Sequence, residues 1–204
     1  MPHDEITLAL YQSLATLADI ITLREAGAMD HQRNVSQISR SIAQLMRLDE
    51  DTIESIRIAG TLHDVGFILI PSGILTKPDE LTEQERAVIR QHPVHSAEII
   101  KNIEFPWPVA EIVLQHHERL DGSGYPQGLK GNDILLEARI LGVADVVESM
   151  LSPRPWRNAL SQESALAEIQ GFSGTKYDPL VVETAVDLYT KQRYRLDPEY
   201  YGRG

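Results

Sequence analysis

The sequence predicts an all-α fold, a single-domain bundle of about seven or eight helices. Apolar residues recur at three- and four-residue steps along most of the 204 residues, and no convincing run alternates apolar and polar residues as a strand would. The composition, 42% hydrophobic and 24% charged residues, is ordinary for a soluble globular protein with one sizeable core. A short β pair near 67–70 is left open as an alternative.

The first half of the chain contains four predicted helical stretches. A long segment rich in Ala, Leu and Ile predicts an N-terminal helix over about 5–26, and apolar residues spaced as a helix face predict the next over about 35–45. Asp49 to Thr52 form an acidic cap that begins a helix toward residue 63. Thr82 to Glu85 fit a capping box that opens a helix toward residue 101, which Pro93 kinks or divides.

The second half combines further helices with two marked loops. Helices are predicted over about 109–117, 134–151, 161–170 and 179–192. The segment 121–131 holds four glycines and a proline and is predicted to be a loop, while 152–157, with two prolines, is a more rigid one. Turns are predicted at 71–73 and 77–79, where proline lies next to small or polar residues.

The composition excludes several classes of function. The chain has no cysteine, which leaves His, Asp and Glu as metal ligands. A net charge of -11 argues against binding to polymeric nucleic acid, although a local positive spot could still bind a small anion. No apolar stretch approaches the roughly 20 residues of a membrane span, and no signal peptide is evident. We therefore expect a cytoplasmic protein that does not bind membranes.

Residues able to bind metal lie near the ends of the predicted helices. Asp145 lies within a strongly apolar helix, where a carboxylate is costly unless it is paired or metal-bound. A lone histidine in such a place is more often a core residue, but a set of this size favours two metals that share a carboxylate. Two metals about 3.5–4 Å apart can hold a hydroxide and clamp a phosphate. The set comprises His31, His63, Asp64, His92, His116, His117 and Asp145.

The pattern of these residues resembles the HD-GYP subfamily of the HD phosphohydrolase superfamily. The superfamily pattern is matched by His31, the pair His63-Asp64 and Asp145. The subfamily pattern is matched by His92-Pro93 and by the run from His116 to Pro126, which reads HHExxDGxGYP. The resemblance runs from about residue 24 to 188, so residues 1–204 are interpreted as one HD-GYP domain.

The resemblance implies a phosphodiesterase that hydrolyses cyclic di-GMP to pGpG or GMP through a hydroxide bridging two metals. The metals are expected to be iron, with Mn, Ni or Zn as alternatives. It assigns His31, His63, Asp64 and Asp145 to one metal and His92, His116 and His117 to the other, with Asp64 as the catalytic bridge. Substrate contacts are expected from Tyr125, Arg154 and Arg157, and a diguanylate cyclase (GGDEF) partner is expected at the Gly-Tyr-Pro loop.

Two departures from the family pattern affect the expected activity. Phe67 occupies the position of a lysine that would lie near the scissile phosphate. Gly27 replaces a glutamate that binds a third metal in related proteins, which predicts a site with two metals. Alternative functions are therefore a weak or inactive signalling module, or a phosphohydrolase of another cyclic nucleotide. Glu118 and Asp121 are interpreted either as acceptors that orient the histidines or as caps of the loop.

Overall fold

The computed structural model describes residues 12–14, 16, 30–77, 79–153, 157–197 and 200, and this part of the chain is all-α, as predicted. Between residues 30 and 197, the described residues form nine α-helices, two 3₁₀ segments (Val65–Leu69 and Gly131–Asp133) and an isolated β-bridge between Ser173 and Tyr177, with no β-strand. The α-helices are α1 (His31–Leu45), α2 (Glu50–Leu62), α3 (Ser72–Leu75), α4 (Glu83–Ile89), α5 (His92–Ile100), α6 (Val109–Gln115), α7 (Leu136–Leu151), α8 (Gln162–Gly171) and α9 (Pro179–Thr190).

The predicted capping residues set the helix starts. The Asp49 carboxylate accepts the Thr52 main-chain N–H at 3.0 Å at the start of α2. Thr82 and Glu85 form the capping box that opens α4. Proline fits the first turn of a helix but not its interior, so α4 ends at Ile89 and Pro93 lies in the first turn of α5. The prediction of a division at Pro93 is confirmed.

Two local details of the sequence analysis differ from the structure: an alternative that was left open and one predicted turn. The segment near 67–70 forms a 3₁₀ helix rather than a β pair. The predicted turn at 71–73 begins the short helix α3 instead, because Pro71 has the fixed φ that precedes a helix without strain. Most of the predicted helix over 5–26 lies outside the described residues, although residues 12–14 and 16 are helical. Across the part of the chain that is described, no helix has the length and apolar character to cross a bilayer.

The core brings the ends of several helices to one place. Helix α1 packs against α2 and α7, and α2 also packs against α6. Fully buried aliphatic residues such as Ile38, Ile56, Ile112 and Leu141 fill the space between these helices. As a result, five helix segments converge at one place: the start of α1, the end of α2, the start of α5, the end of α6 and the middle of α7.

Two glycines allow the close approaches that this convergence requires. A Cβ on Gly66 would lie 2.2 Å from the carbonyl oxygen of His92, and a Cβ on Gly142 would lie 2.5 Å from that of His116. Neither distance is possible for a real side chain. Gly66 therefore brings α5, and Gly142 brings the end of α6, into contact with the rest of the bundle.

Candidate metal centre

Asp64 lies between two groups of candidate ligands. Its Oδ2 atom is 3.2 Å from His63 Nε2 and 3.4 Å from His31 Nε2, whereas its Oδ1 atom is 3.2 Å from His92 Nε2. Each carboxylate oxygen thus faces a different group, and the donor atoms within each group lie within 4.8 Å of one another. The first group is His31, His63 and Asp64; the second is His92, His116 and His117.

Asp145 reaches toward both groups from the middle of α7. Its Oδ1 atom lies 3.3 Å from His31 Nε2, and its Oδ2 atom lies 4.0 Å from His117 Nδ1. Asp64 and Asp145 are each only 7% exposed. All seven residues that the sequence singled out as metal ligands therefore meet in one buried cluster.

Main-chain contacts orient three of the histidine rings. In each case Nδ1 donates a hydrogen bond to the carbonyl oxygen three residues earlier, so that in the neutral ring the lone pair of Nε2 points into the cluster. The pairs are His63 with Gly60 at 2.8 Å, His92 with Ile89 at 2.9 Å and His116 with Val113 at 2.5 Å. His63 and His116 follow the last residues of α2 and α6, and His92 is the first residue of α5, so the helices themselves set the direction of the rings.

The arrangement of the Nε2 atoms fits a bound cation. His92 Nε2 and His116 Nε2 face each other at 3.4 Å, and with both Nδ1 atoms protonated neither Nε2 has a proton to share. The Nε2 atom of His63 is buried and makes no hydrogen bond, since its approach to Asp64 lacks the required geometry. A divalent ion bound by these lone pairs and by the carboxylates would give each of these atoms a partner.

The second group is held in the neutral form that metal binding requires. Burial, together with the neighbouring His63 and His92, lowers the pKa of His116 to about 3. Burial, His116 and His92 lower the pKa of His117 well below its usual range. Both imidazoles are therefore uncharged at neutral pH and offer lone pairs without first losing a proton.

The first group is richer in negative charge. Burial by itself lowers the pKa of His31, but hydrogen bonds with Asp145, Asp64 and Glu148 outweigh burial and raise it well above its usual range. Burial would raise the pKa of Asp64, but the histidines around it, led by His63, hold it well below normal. Such a concentration of ionised carboxylates around one imidazole favours a cation, either a proton or a metal.

Sequence reasoning missed Glu148, which orients His31. The carboxylate is 2% exposed and accepts a hydrogen bond from His31 Nδ1. Its other oxygen accepts from Asn34 Nδ2 at 3.0 Å and from Ser152 Oγ at 2.7 Å. A signal was present: Glu148 follows Asp145 by three residues in the same apolar helix, so the two carboxylates share a helix face.

Glu118 organises the loop that follows the paired histidines. Its carboxylate accepts the main-chain N–H groups of residues 127, 128 and 129 at 2.6, 3.1 and 3.0 Å. Asp121 accepts the main-chain N–H of Ser123 at 2.9 Å. Of the two roles considered for these acids, the contacts are those of loop caps.

Two aromatic side chains cover the second group. The Tyr125 ring stacks on His117 with centroids 4.7 Å apart and planes inclined by 26°. The Phe67 ring stacks on His92 with centroids 4.3 Å apart and planes inclined by 12°. Both aromatic residues are partly exposed, so each forms a wall between the ligands and the outside.

Of the two arginines predicted to contact substrate, only Arg157 lies within the described residues. Arg157 donates to two carbonyl oxygens near the end of α7, Nη2 to Ser149 at 2.6 Å and Nη1 to Met150 at 3.2 Å, and Nη1 also donates to that of Asn158 at 3.0 Å. Its contact with a substrate phosphate stays a prediction. Arg154 and Gly27 lie outside the described residues.

Comparison with known proteins identifies similar sequences and folds. A family model described as HD domain matches residues 15–181. The cyclic di-GMP phosphodiesterase response regulator RpfG of Xanthomonas campestris is 40% identical over 174 residues, which cover 84% of this chain and 46% of RpfG. A cyclic di-GMP phosphodiesterase of Thermotoga maritima is 39% identical over 181 residues, covering 88% of this chain and 49% of the relative.

Further matches extend to other cyclic dinucleotides. The 3'3'-cGAMP-specific phosphodiesterase 2 of Vibrio cholerae is 34% identical over 166 residues, covering 80% of this chain and 31% of the relative. The chain thus spans about half the length, or less, of these curated relatives. The crystal structure of a cyclic GMP-AMP specific phosphodiesterase of V. cholerae has the same fold, with a TM-score of 0.68 at 21% identity, over 88% of this chain and 49% of that one.

The family match, the shared fold and the clustered residues agree with one another. The matched range contains every residue of the cluster, including the HHExxDGxGYP run from His116 to Pro126. The chain belongs to the HD domain family and has the sequence pattern of its HD-GYP branch.

Proposed function

We propose that this chain is a phosphodiesterase that hydrolyses cyclic di-GMP to pGpG or GMP with two divalent metal ions. One observation carries the proposal: the two oxygens of Asp64 face separate histidine groups, as expected of a carboxylate that bridges two metals. Two of the relatives described above are named as cyclic di-GMP phosphodiesterases, which supports the choice of substrate.

The donor set defines what each metal would contact. Imidazole and carboxylate ligands without thiolate suit iron, our first choice, and also Mn, Ni or Zn. When bound, such ions supply a water of lowered pKa and stabilise negative charge on a phosphate. The first ion would be held by His31, His63, Asp64 and Asp145, and the second by His92, His116 and His117 with Asp64.

The surrounding residues position the ligands and limit access of water. Glu148 holds the His31 ring through Nδ1, and Glu118 holds the loop that carries Tyr125. The partly exposed rings of Tyr125 and Phe67 cover two of the imidazoles. Substrate contacts by Arg154 and Arg157, a GGDEF partner at the Gly-Tyr-Pro loop and a cytoplasmic location complete the proposal, by family resemblance.

Hydrolysis of cyclic di-GMP by metal-loaded protein tests the proposal. We expect conversion to pGpG or GMP, followed by anion-exchange chromatography, and its loss on chelation. Asp64→Asn should abolish turnover, whereas Asp133→Asn, at an exposed acid outside the cluster, should retain it. Because a V. cholerae relative is named for 3'3'-cGAMP, that nucleotide serves as the competing substrate. Metal-loaded protein that leaves both nucleotides intact over hours would refute the proposal.

A further inference from the structure

Arg90 is an exposed cation next to the candidate site. It follows the last residue of α4 and precedes the ligand His92 by two positions. Among the described residues, no carboxylate forms an ion pair with it, whereas Arg86, one turn earlier, is paired with Glu83 at 3.1 Å. The guanidinium of Arg90 is therefore available to a ligand.

Tyr125 links Arg90 to the metal ligands. The guanidinium carbon of Arg90 lies 5.8 Å from the centre of the Tyr125 ring, which in turn stacks on His117. This distance exceeds a face-to-face contact of about 4 Å, so the guanidinium does not cover the whole ring. Glu118 anchors the far end of the loop that carries Tyr125. Arg90 thus lies beside the ligand groups, one aromatic ring away from them.

That separation suits a base rather than the phosphate that reacts. In a nucleotide the sugar separates the base from the phosphate. If the scissile phosphate lies at the histidines, a base of the same nucleotide therefore lies beside the ligand groups rather than on them. Guanine presents two adjacent acceptors, O6 and N7, which match the two parallel N–H donors of a guanidinium. Adenine presents one acceptor and one amino donor at the same edge and cannot accept both bonds. The exposed part of the Tyr125 ring offers a surface on which a base stacks.

We propose that Arg90 recognises a guanine base of the substrate, with Tyr125 as its stacking surface, and so sets the preference for guanine over adenine. The proposal rests on the proposed cyclic dinucleotide phosphodiesterase function.

The test compares substrates that differ in their bases. Metal-loaded wild type, Arg90→Ala, Arg90→Lys and the control Arg86→Ala are assayed with cyclic di-GMP and cyclic di-AMP. Bis(p-nitrophenyl) phosphate, which has no base, reports on the metal centre alone. We expect the ratio of kcat/KM for cyclic di-GMP over cyclic di-AMP to fall about 10- to 100-fold in Arg90→Ala. In Arg90→Lys the ratio should fall nearly as far, because an ammonium lacks the fork of two donors, and in Arg86→Ala it should stay unchanged.

The alternative outcomes are distinguishable. An unchanged ratio, or equal losses on both nucleotides as expected of a phosphate contact, would overturn the assignment of Arg90 and leave the phosphodiesterase proposal standing. If the wild type hydrolyses none of the three compounds, the proposed function fails. Titration calorimetry with cyclic di-GMP and cyclic di-AMP then decides the role of Arg90: a loss of affinity in Arg90→Ala that is larger for cyclic di-GMP supports it, while unchanged affinities, equal losses on both nucleotides or no binding by the wild type refute it.

Discussion

Replacing Glu148 with glutamine should weaken one metal position and spare the other. Glu148 is buried and accepts from His31 Nδ1, so it fixes the ring and makes its Nε2 a stronger donor. Glutamine keeps the volume and an acceptor for Asn34 and Ser152, but removes the charge. Loss of such a supporting carboxylate typically lowers metal affinity about 10- to 100-fold. At about 1.4 kcal/mol per factor of ten, this corresponds to about 1.4 to 2.8 kcal/mol.

The assay is metal content at a series of buffered free-metal concentrations. Because Glu148 supports only the first group, Glu148→Gln should bind its second-group metal normally and reach two metals per chain only at about 10- to 100-fold higher free metal. Glu163→Gln, at an exposed acid of α8, is the matched control and should follow the wild type. Two metals bound as tightly in Glu148→Gln as in the wild type would refute the reasoning, as would equal weakening of both positions.

Three further substitutions test other parts of the structure. Phe67→Lys should raise cyclic di-GMP turnover, by up to about 100- to 1000-fold, because it adds a donor beside the second ligand group; an unchanged kcat would mean that no such donor is needed. Glu118→Ala should lower the free energy of unfolding in urea by about 1–3 kcal/mol, since three loop N–H groups lose their acceptor; an unchanged transition midpoint would contradict this. Gly142→Ala should cost about 1–3 kcal/mol through its clash with the His116 carbonyl, whereas Gly171→Ala, with open space around it, should cost much less; similar losses would count against the close approach.

Much of the fold follows from local signals in the sequence. The caps at Asp49 and Thr82 and the division at Pro93 depend on side chains that act on their own backbone, so the sequence alone indicates them. The 3₁₀ turn after Asp64 has no such marker, and Pro71 before α3 is ambiguous, since its fixed φ suits a turn as well as the start of a helix. The conformation of the 3₁₀ turn depends instead on packing, as at Gly66, which lies directly against the start of α5.

The candidate site was predictable to the extent that its residues are chemically unusual in their local context. A carboxylate at 145 within an apolar helix and adjacent histidines at 116 and 117 indicate a site from sequence alone. Glu148 carries a weaker signal, its position three residues after Asp145 in the same apolar helix, and Arg90 carries none, since an exposed arginine is common. The fold shows the contacts that the sequence does not, of Glu148 with His31 and of Arg90 with Tyr125.

The location of bound metal tests the account most directly. A crystal structure of metal-loaded protein, with data collected at the absorption edge of the metal, should show two anomalous peaks on either side of Asp64, about 3.5–4 Å apart. One peak should contact His31, His63 and Asp145, and the other the three histidines of the second group. A single peak, or two peaks that do not share Asp64, would contradict the assignment of a dinuclear phosphodiesterase centre.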